Sequence, residues 1–324
     1  MSNSYHIDFN AILETLQRGI RRTDIFLGLG MNASEMQPPI SHVLERGSPF
    51  GIQLVKEDLS DDEKLHVATE FGKWITNNGL RELIETFSIF LHQVYVALHA
   101  VNTVKDVPVK LSPNRFERMG VGDQVAELQK IVPILDERVA ITRSLNQARN
   151  CYAHRNGRVG HVDIDANSST FELTWLAISA SIREPDGTII PESEIIGRFL
   201  PEGGEVTISI EIRSRAFGLG DELNLSKAEL KAICLCIHII GGGILEEAQK
   251  YAIAVGIPLA SPAVVAAEGF NPRLCDDRWC LQDIPAALPP TRLIADSLCT
   301  LPSVGTCLFF CFVEALAAAL KMLD

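Results

Sequence analysis

The spacing of apolar and polar residues changes along the chain, and this change separates a helical region from a strand region. Between residues 60 and 160, apolar positions recur every three to four residues, which indicates amphipathic helices. After Gly160 the period shortens to two, as in strands with one buried face. The pattern predicts an α+β protein, in which an antiparallel helical bundle is followed by a small antiparallel β-sheet and a further helix.

Capping signals and prolines give the expected helix ends within the bundle. Five helical segments are predicted: residues 60–77, 80–104, a short piece near Phe116, 123–132, and a helix that has Pro133 at its first position. Gly79 is expected to break the first two segments apart, because glycine disfavours helix interiors. Four or five helices would form this bundle.

The same patterns divide the whole chain into five regions. These are a loop-rich N-terminal extension with one short helix (1–59), the helical bundle (60–160), a small antiparallel β segment (161–225), a helix that packs back on the bundle (226–255), and a poorly ordered or loosely docked C-terminal extension (256–324). Gly28 and Gly30 are expected to lie in the first loop. The run Gly241–Gly243 is expected to interrupt the fourth region's helix, since no strand precedes it and no Lys-Ser/Thr pair follows it as in a phosphate loop.

Composition excludes several classes of protein. A formal net charge of −12 and a pI near 5.2 argue against broad nonspecific coating of nucleic acid. The N-terminus lacks a secretory signal, and eight irregularly spaced cysteines are typical of reduced thiols in a cytoplasmic protein. The spacing of the later cysteines does not fit a zinc site, and the apolar run at 306–313 is too short to span a bilayer alone. We therefore expect no metal, no cofactor and no membrane association.

One basic stretch stands out against this acidic background. Residues 138–161 hold five arginines and two histidines but no aspartate or glutamate. All of its permanent cations are arginine, whose planar fork suits bidentate contact with phosphate or carboxylate. The stretch therefore predicts a confined anion-binding site.

The stretch is predicted to be the end of a helix with two distinct faces. Its apolar face consists of Ile141, Leu145, Ala148 and Tyr152, and its polar face consists of Arg143, Asn146, Asn150 and His154. Asn150 and His154 would be neighbours one turn apart. Gly157 comes directly after the helix, where a left-handed residue would end it.

The motif formed by Arg149, Asn150, three further positions and His154, followed by Gly157 and Val159, resembles the signature of the HEPN superfamily (higher eukaryotes and prokaryotes nucleotide-binding). The resemblance covers residues 60–160. More loosely, the segment up to residue 255 is similar to the region after such a domain in some bacterial members. The resemblance implies a HEPN-like helical bundle, a homodimer, and metal-independent endoribonuclease activity of a defence or toxin–antitoxin type.

Carried onto this chain, the resemblance gives three catalytic residues, Arg149, Asn150 and His154. Contact with RNA or phosphate is expected from four further residues: Arg143, Asn146, Arg155 and Arg158. A toxin of this kind would have an antitoxin protein as a partner. Some toxin members carry a tyrosine two positions after the histidine that a partner enzyme modifies, and here Asn156 stands there, so that mode of inhibition is not supported.

The residues themselves are compatible with this chemistry. A histidine can transfer a proton near neutral pH, and an arginine can stabilise charge on a phosphodiester. Attack by a 2′-hydroxyl would select RNA, because DNA lacks this group. The alternative is a noncatalytic dimeric module that binds RNA or nucleotides. In a third interpretation, Arg and His at a helix C-terminus are only favourable capping charges.

Geometry leaves open how the arginine and the histidine would meet. Five residues apart on an ideal helix, Arg149 and His154 point well over 100° from each other. The last turn could be distorted, Arg149 could reach around the helix, or a second protomer could complete the site. Glu82 and Glu85 are expected to be solvated, the alternative being that one of them pairs with Arg149 and positions it. Cys151 is expected to be a small buried hydrophobe.

Overall fold

Helices dominate the computed structural model, which describes residues 7–43, 56, 58–165, 168–195 and 203–257. Over these residues it has seven helices and a three-stranded antiparallel sheet, so the chain is an α+β protein. The elements in chain order are α1 (Phe9–Glu35), α2 (Asp61–Val104), α3 (Pro113–Glu117), α4 (Val121–Leu128), α5 (Asp136–Arg155), β1 (Thr170–Arg183), β2 (Ile189–Pro191), α6 (Glu192–Ile195), β3 (Glu205–Gly218) and α7 (Lys227–Ala254).

The first two helices, α1 and α2, are longer than their sequences predicted. The expected loop at Gly28 and Gly30 and the expected break at Gly79 are both wrong, because each helix continues through its glycines. These helices pack antiparallel at glycine contacts: a Cβ on Gly30 would lie 2.6 Å from the Ile75 side chain, and one on Gly79 would overlap Leu27. Close helix packing therefore outweighs the low helix propensity of glycine.

Helix α7 packs on α2 and also on α1, which was assigned to the N-terminal extension and not to the bundle. Ser226 and Glu229 form the capping box at its start. The expected interruption at Gly241–Gly243 is wrong, since the helix is continuous; a Cβ on Gly241 would overlap Leu16 of α1. Near the other end, the Tyr251 hydroxyl lies 2.6 Å from the Asn102 amide oxygen of α2. The absence of a side chain at Gly241 thus allows α7 to approach α1 and α2 closely.

The connection into α5 also differs from its prediction. Pro133 is not the first residue of the helix, which begins only at Asp136. The Gln129 side-chain amide donates to the Ile134 carbonyl at 2.8 Å and to the Asp136 carboxylate at 2.6 Å. These two hydrogen bonds hold residues 133–135 as a short nonhelical connection.

The sheet has the order β2-β1-β3, with β1 and β2 antiparallel in the register Ile182 opposite Ile190. A tight turn joins β1 to β2, in which the Gly187 N–H donates to the Glu184 carbonyl at 2.9 Å. At the start of β1, alternate residues Phe171, Leu173 and Trp175 are buried, which confirms the predicted period of two there. In β3 the alternation is not found beyond Ile208, since Ile210 and Ile212 are exposed. The sequence Pro201-Glu202-Gly203-Gly204 predicts another turn, and its first two residues lie outside the described residues.

Two compact units are present, with the boundary inside β1 and inside β3. The larger contains the helices other than α6, together with the adjoining strand ends. Within the smaller, residues 178–195 and 203–211 are described, and its core consists of Ile182, Ile190, Ile195 and Val206. The C-terminal extension predicted for residues 256–324 lies outside the described residues from residue 258 onward.

Helices α2 and α7 are long and apolar enough to cross a membrane. However, 56% and 50% of their most apolar stretches are buried inside the protein. Both pack against α1 and against each other, so their apolar residues have partners in the bundle core.

Candidate functional site

Helix α5 carries both predicted faces. Ile141, Leu145, Ala148 and Tyr152 are all buried. On the polar face, Arg143 and His154 are exposed, and Asn146 and Asn150 are half-buried. The two predicted faces of this helix are therefore confirmed, although its start is not.

The end of α5 is a left-handed turn of two residues. Asn156, with φ 53°, is the C-cap, and Gly157 comes next with φ 77°. The Cys151 carbonyl accepts hydrogen bonds from both of their N–H groups, the second at 3.3 Å. Gly157 was the expected left-handed residue, and Asn156 shares this role because asparagine also tolerates the conformation. Its side-chain oxygen accepts from the Asn77 amide of α2 at 3.2 Å.

Gly157→Ala should destabilise the protein by about 2–4 kcal/mol, because φ is positive and a Cβ would lie 2.8 Å from the Tyr152 ring. Gly187→Ala is the matched control, since Gly187 also has positive φ (89°) but nothing lies within 4 Å of its Cβ position. We expect the control to cost about 1 kcal/mol. Urea unfolding of both variants measures the difference, and equal losses would show that packing against Tyr152 contributes nothing.

Residues 157–160 pair with a segment that lies just before α7. The Val159 N–H donates to the Asp221 carbonyl at 2.9 Å, and the Leu223 N–H donates to the Gly157 carbonyl at 2.8 Å. The buried Tyr152 hydroxyl donates to the Leu223 carbonyl. Residues 218–224 therefore hold the end of α5, the helix that carries the motif, in place.

The basic stretch contains no aspartate or glutamate, but in the fold carboxylates from other parts of the chain lie beside its arginines. Arg155 forms a bidentate ion pair with Asp163, whose side chain is 2% exposed; one of the two bonds measures 2.8 Å. The Gly160 N–H donates to the same carboxylate at 2.8 Å. With its guanidinium engaged in this way, Arg155 stabilises the loop after α5, which is a different role from the phosphate contact expected for it.

Arg158 is also paired. Its guanidinium donates to the Gly220 carbonyl at 3.1 Å and lies 3.5 Å from a Glu222 carboxylate oxygen. Lys73 of α2 lies 3.3 Å from the same carboxylate. Arg158 remains exposed, so these contacts leave part of its surface open to solvent.

Arg143 and Asn146, by contrast, have no hydrogen-bonding partner among the residues that the structure describes. Both lie beside the start of α4, where a Cβ on Gly120 would be 3.3 Å from the Asn146 side chain and one on Gly122 would overlap Arg143. The absence of side chains at these two glycines lets α5 approach α4 closely.

Arg149 connects two helices. One terminal nitrogen, Nη2, donates to Oε1 of Glu85 on α2 at 3.1 Å, and the other, Nη1, donates to Oδ1 of Asn150 at 3.1 Å. Its Nε is buried without a partner, and the side chain is 27% exposed. Of the two alternatives for the glutamates of α2, pairing with Arg149 is confirmed for Glu85, whereas Glu82 pairs with Arg22 of α1.

Glu85 is held between two guanidiniums. Besides Arg149, the Nε of Arg81 donates to Oε1 of Glu85 at 2.8 Å. Partial burial acts to raise the pKa of this carboxyl, but the hydrogen bonds and charges of Arg81 and Arg149 outweigh it, so the pKa is lowered. Glu85 therefore stays ionised near neutral pH and keeps Arg149 in place.

His154 is exposed and makes no hydrogen bond or ion pair within the described part of the chain. It lies one helical turn after Asn150, the residue that the Arg149 guanidinium contacts. The helix is regular up to Arg155, so the last turn does not bring the two motif residues together. The link between them is Asn150, whose side-chain oxygen accepts from the Arg149 guanidinium at 3.1 Å and which shares the polar face with His154.

The three thiols of the described part of the chain, Cys151, Cys234 and Cys236, are buried. Burial raises the pKa of Cys151 to about 11, with the nearby Asp163 carboxylate adding to the effect, and raises those of Cys234 and Cys236 to about 12. Cys151 is therefore a buried hydrophobe, as expected, and not a nucleophile.

At pH 8, Cys151 should react with iodoacetamide about two orders of magnitude more slowly than glutathione, and Cys234 and Cys236 about three orders more slowly, because only the thiolate attacks. Mass spectrometry of the peptides that contain them measures the rates. The same protein unfolded in guanidinium is the control, in which all three should react freely. Rapid labelling of folded protein at Cys151 would contradict its burial.

A cleft of about 480 Å³ lies beside the end of α5 and is lined in part by Lys73, Asn77, Asn156 and Leu223. Neither Arg149 nor His154 lines it, so it is separate from the motif residues. Among the ranges that the structure describes, no group of histidine, cysteine, aspartate and glutamate side chains could hold a metal ion.

Comparisons of the chain with protein-family models, with curated proteins and with solved structures give no match. The HEPN resemblance therefore stays a prediction that depends on the residues of the motif.

The sequence did not indicate that Arg81 shares the Glu85 carboxylate with Arg149. The i,i+4 spacing of Arg81 and Glu85 looks like an ordinary surface ion pair.

Proposed function

We propose that this chain is a metal-independent endoribonuclease of the HEPN type, acting in defence or as a toxin. The observation that carries the proposal is the contact between the Arg149 guanidinium and Asn150, one turn from the exposed and unpaired His154. This contact supports the proposal because it links Arg149, as the phosphate-binding group, to the face of α5 that carries His154, as the proton-transfer group. If His154 only interacted with the helix dipole as a C-terminal charge, the contact between Arg149 and Asn150 would have no role.

In the proposed reaction, neutral His154 takes the proton of an RNA 2′-hydroxyl, and the 2′-oxygen attacks the adjacent phosphorus. Arg149 retains N–H groups beyond those bonded to Glu85 and Asn150, and these would stabilise charge on the nonbridging oxygens. The bond to the 5′-oxygen then breaks, which leaves a 2′,3′-cyclic phosphate and a 5′-hydroxyl. A protonated His154 of a second copy would supply the proton to the 5′-oxygen, since two protomers are expected to share one cleft.

A noncatalytic RNA- or nucleotide-binding module is the second candidate. It is favoured by the ion pairs of Arg149, Arg155 and Arg158, which occupy three of the five arginines of the basic stretch. Arginines held by carboxylates have less charge available for catalysis. They can still contribute to weak, salt-dependent binding of a phosphate backbone.

Incubation of the full-length protein with a labelled single-stranded RNA in EDTA tests the proposal. We expect cleavage that leaves cyclic phosphate ends, and no cleavage of the same sequence as DNA. Binding of RNA without cleavage at any protein concentration would support the module instead. Cleavage that EDTA abolishes would contradict a metal-independent mechanism.

A further inference from the structure

We infer that Arg81 of α2 is a second phosphate-binding residue, which contacts the RNA phosphate next to the one that Arg149 holds. The inference rests on the proposed function, because it takes RNA as the ligand of the site. It adds a residue from outside the motif helix and makes the binding surface span two helices.

Arg81 and Arg149 both donate to the carboxylate of Glu85. The same oxygen of Glu85, Oε1, accepts from Arg81 at 2.8 Å and from Arg149 at 3.1 Å, so the two donor nitrogens are at most about 6 Å apart. This separation is comparable with that of successive phosphates along an extended strand. Two guanidiniums that are fixed this close together can each bind one phosphate of a single RNA chain.

Charge and exposure support the same conclusion. Two guanidiniums and one carboxylate leave one net positive charge on a protein with a net charge of −12. The side chains of Arg81 and Glu85 are 55% and 41% exposed, so RNA could reach the cluster from solvent. Glu85 repels phosphate, but it is the group that fixes both arginines, so we assign it a positioning role.

An ordinary surface ion pair is the alternative for Arg81, and α1 contains a close match for it. Arg18 and Glu14 have the same i,i+4 spacing, with 2.5 Å between their charged atoms. Within the described residues, Glu14 has no second arginine partner. Arg18→Gln therefore removes the same type of charge from an i,i+4 pair that is separate from the Arg81, Glu85 and Arg149 cluster.

The test uses full-length protein carrying His154→Ala, so that bound RNA is not cleaved. Fluorescence anisotropy gives the affinity for single-stranded RNA over a series of salt concentrations. Arg81→Gln should weaken binding about threefold to tenfold at low salt and reduce the slope of log K against log salt by about 0.7, the loss expected for one phosphate contact. Arg18→Gln should change neither quantity.

Equal behaviour of Arg81→Gln and Arg18→Gln would overturn the subsite while leaving the proposed function intact. Failure of every variant to bind RNA, together with absence of cleavage by the wild type, would overturn both. These outcomes are distinguishable because binding is measured separately from cleavage.

Glu85→Gln, made in the protein with His154 present, tests the positioning role. Loss of the negative charge should tighten RNA binding, yet cleavage at saturating RNA should slow by about tenfold or more, because Arg149 loses the carboxylate that fixes it. Tighter binding with unchanged or faster cleavage would show that Glu85 only neutralises charge. Circular dichroism confirms that the variant is folded.

Discussion

His154→Ala should reduce RNA cleavage by about a hundredfold to ten-thousandfold, the contribution that a positioned general acid or base makes to a reaction rate. RNA affinity and stability should hardly change, because the imidazole is exposed and has no hydrogen-bonding partner in the part of the chain that the structure describes. Initial rates in EDTA, at RNA concentrations well above and well below saturation, separate the loss of turnover from a loss of binding.

His161→Ala is the matched control for this experiment. His161 is a second exposed histidine, and it lies in the loop after the same helix. We expect this variant to cleave RNA at the wild-type rate. Equal activity of both variants, or equal loss in both, would remove His154 from the proposed role and favour the noncatalytic module.

Asp163→Asn should destabilise the protein by about 2–3 kcal/mol. Asp163 is 2% exposed and bonds both the Arg155 guanidinium and the Gly160 N–H. Removing one partner of a buried pair typically costs about 3–5 kcal/mol, and the partial exposure of Arg155 reduces that figure here. Thermal unfolding should show a Tm lower by roughly 5–10 °C.

Asp62→Asn provides the comparison for this change. Asp62 is an exposed acid in the first turn of α2, where only a weak interaction with the helix dipole is lost. We expect a cost below about 0.5 kcal/mol. If Asp163→Asn were equally mild, the Arg155 pair would contribute little to stability, and Arg155 would again be a candidate for phosphate contact.

Some features of the site could be read from the sequence because they depend on local periodicity. The apolar stripe from Ile141 to Tyr152 and the capping boxes at Ser60 and Ser226 follow from the spacing of residue types, and the structure confirms them. The same local rules failed at Gly79. There, a contact with Leu27 from another helix decides the conformation, and a single sequence does not show which helices meet.

The ion pairs of Arg149 and Arg158 could not be predicted from the sequence either, because their partners lie far away along the chain. The basic stretch contains no acid within its own sequence, which suggested open arginines. In the fold, Glu85 lies 64 positions before Arg149, and Glu222 lies 64 positions after Arg158. Contacts over such distances depend on the packing of α2 and of residues 218–224 against the motif helix. Only Asp163 is close enough in sequence to have been considered as a partner for Arg155.

The pairing of residues 157–160 with residues 218–224 has a consequence for the order of events during synthesis. The end of the motif helix needs hydrogen bonds from a segment that the ribosome makes about sixty residues later. Until that segment emerges, Gly157 and Tyr152 lack their partners, and we expect the face of α5 that carries His154 to stay incompletely ordered. If the proposed ribonuclease activity is found, this order of synthesis would delay it until most of the chain has been released, which would protect the messenger from which the protein is translated.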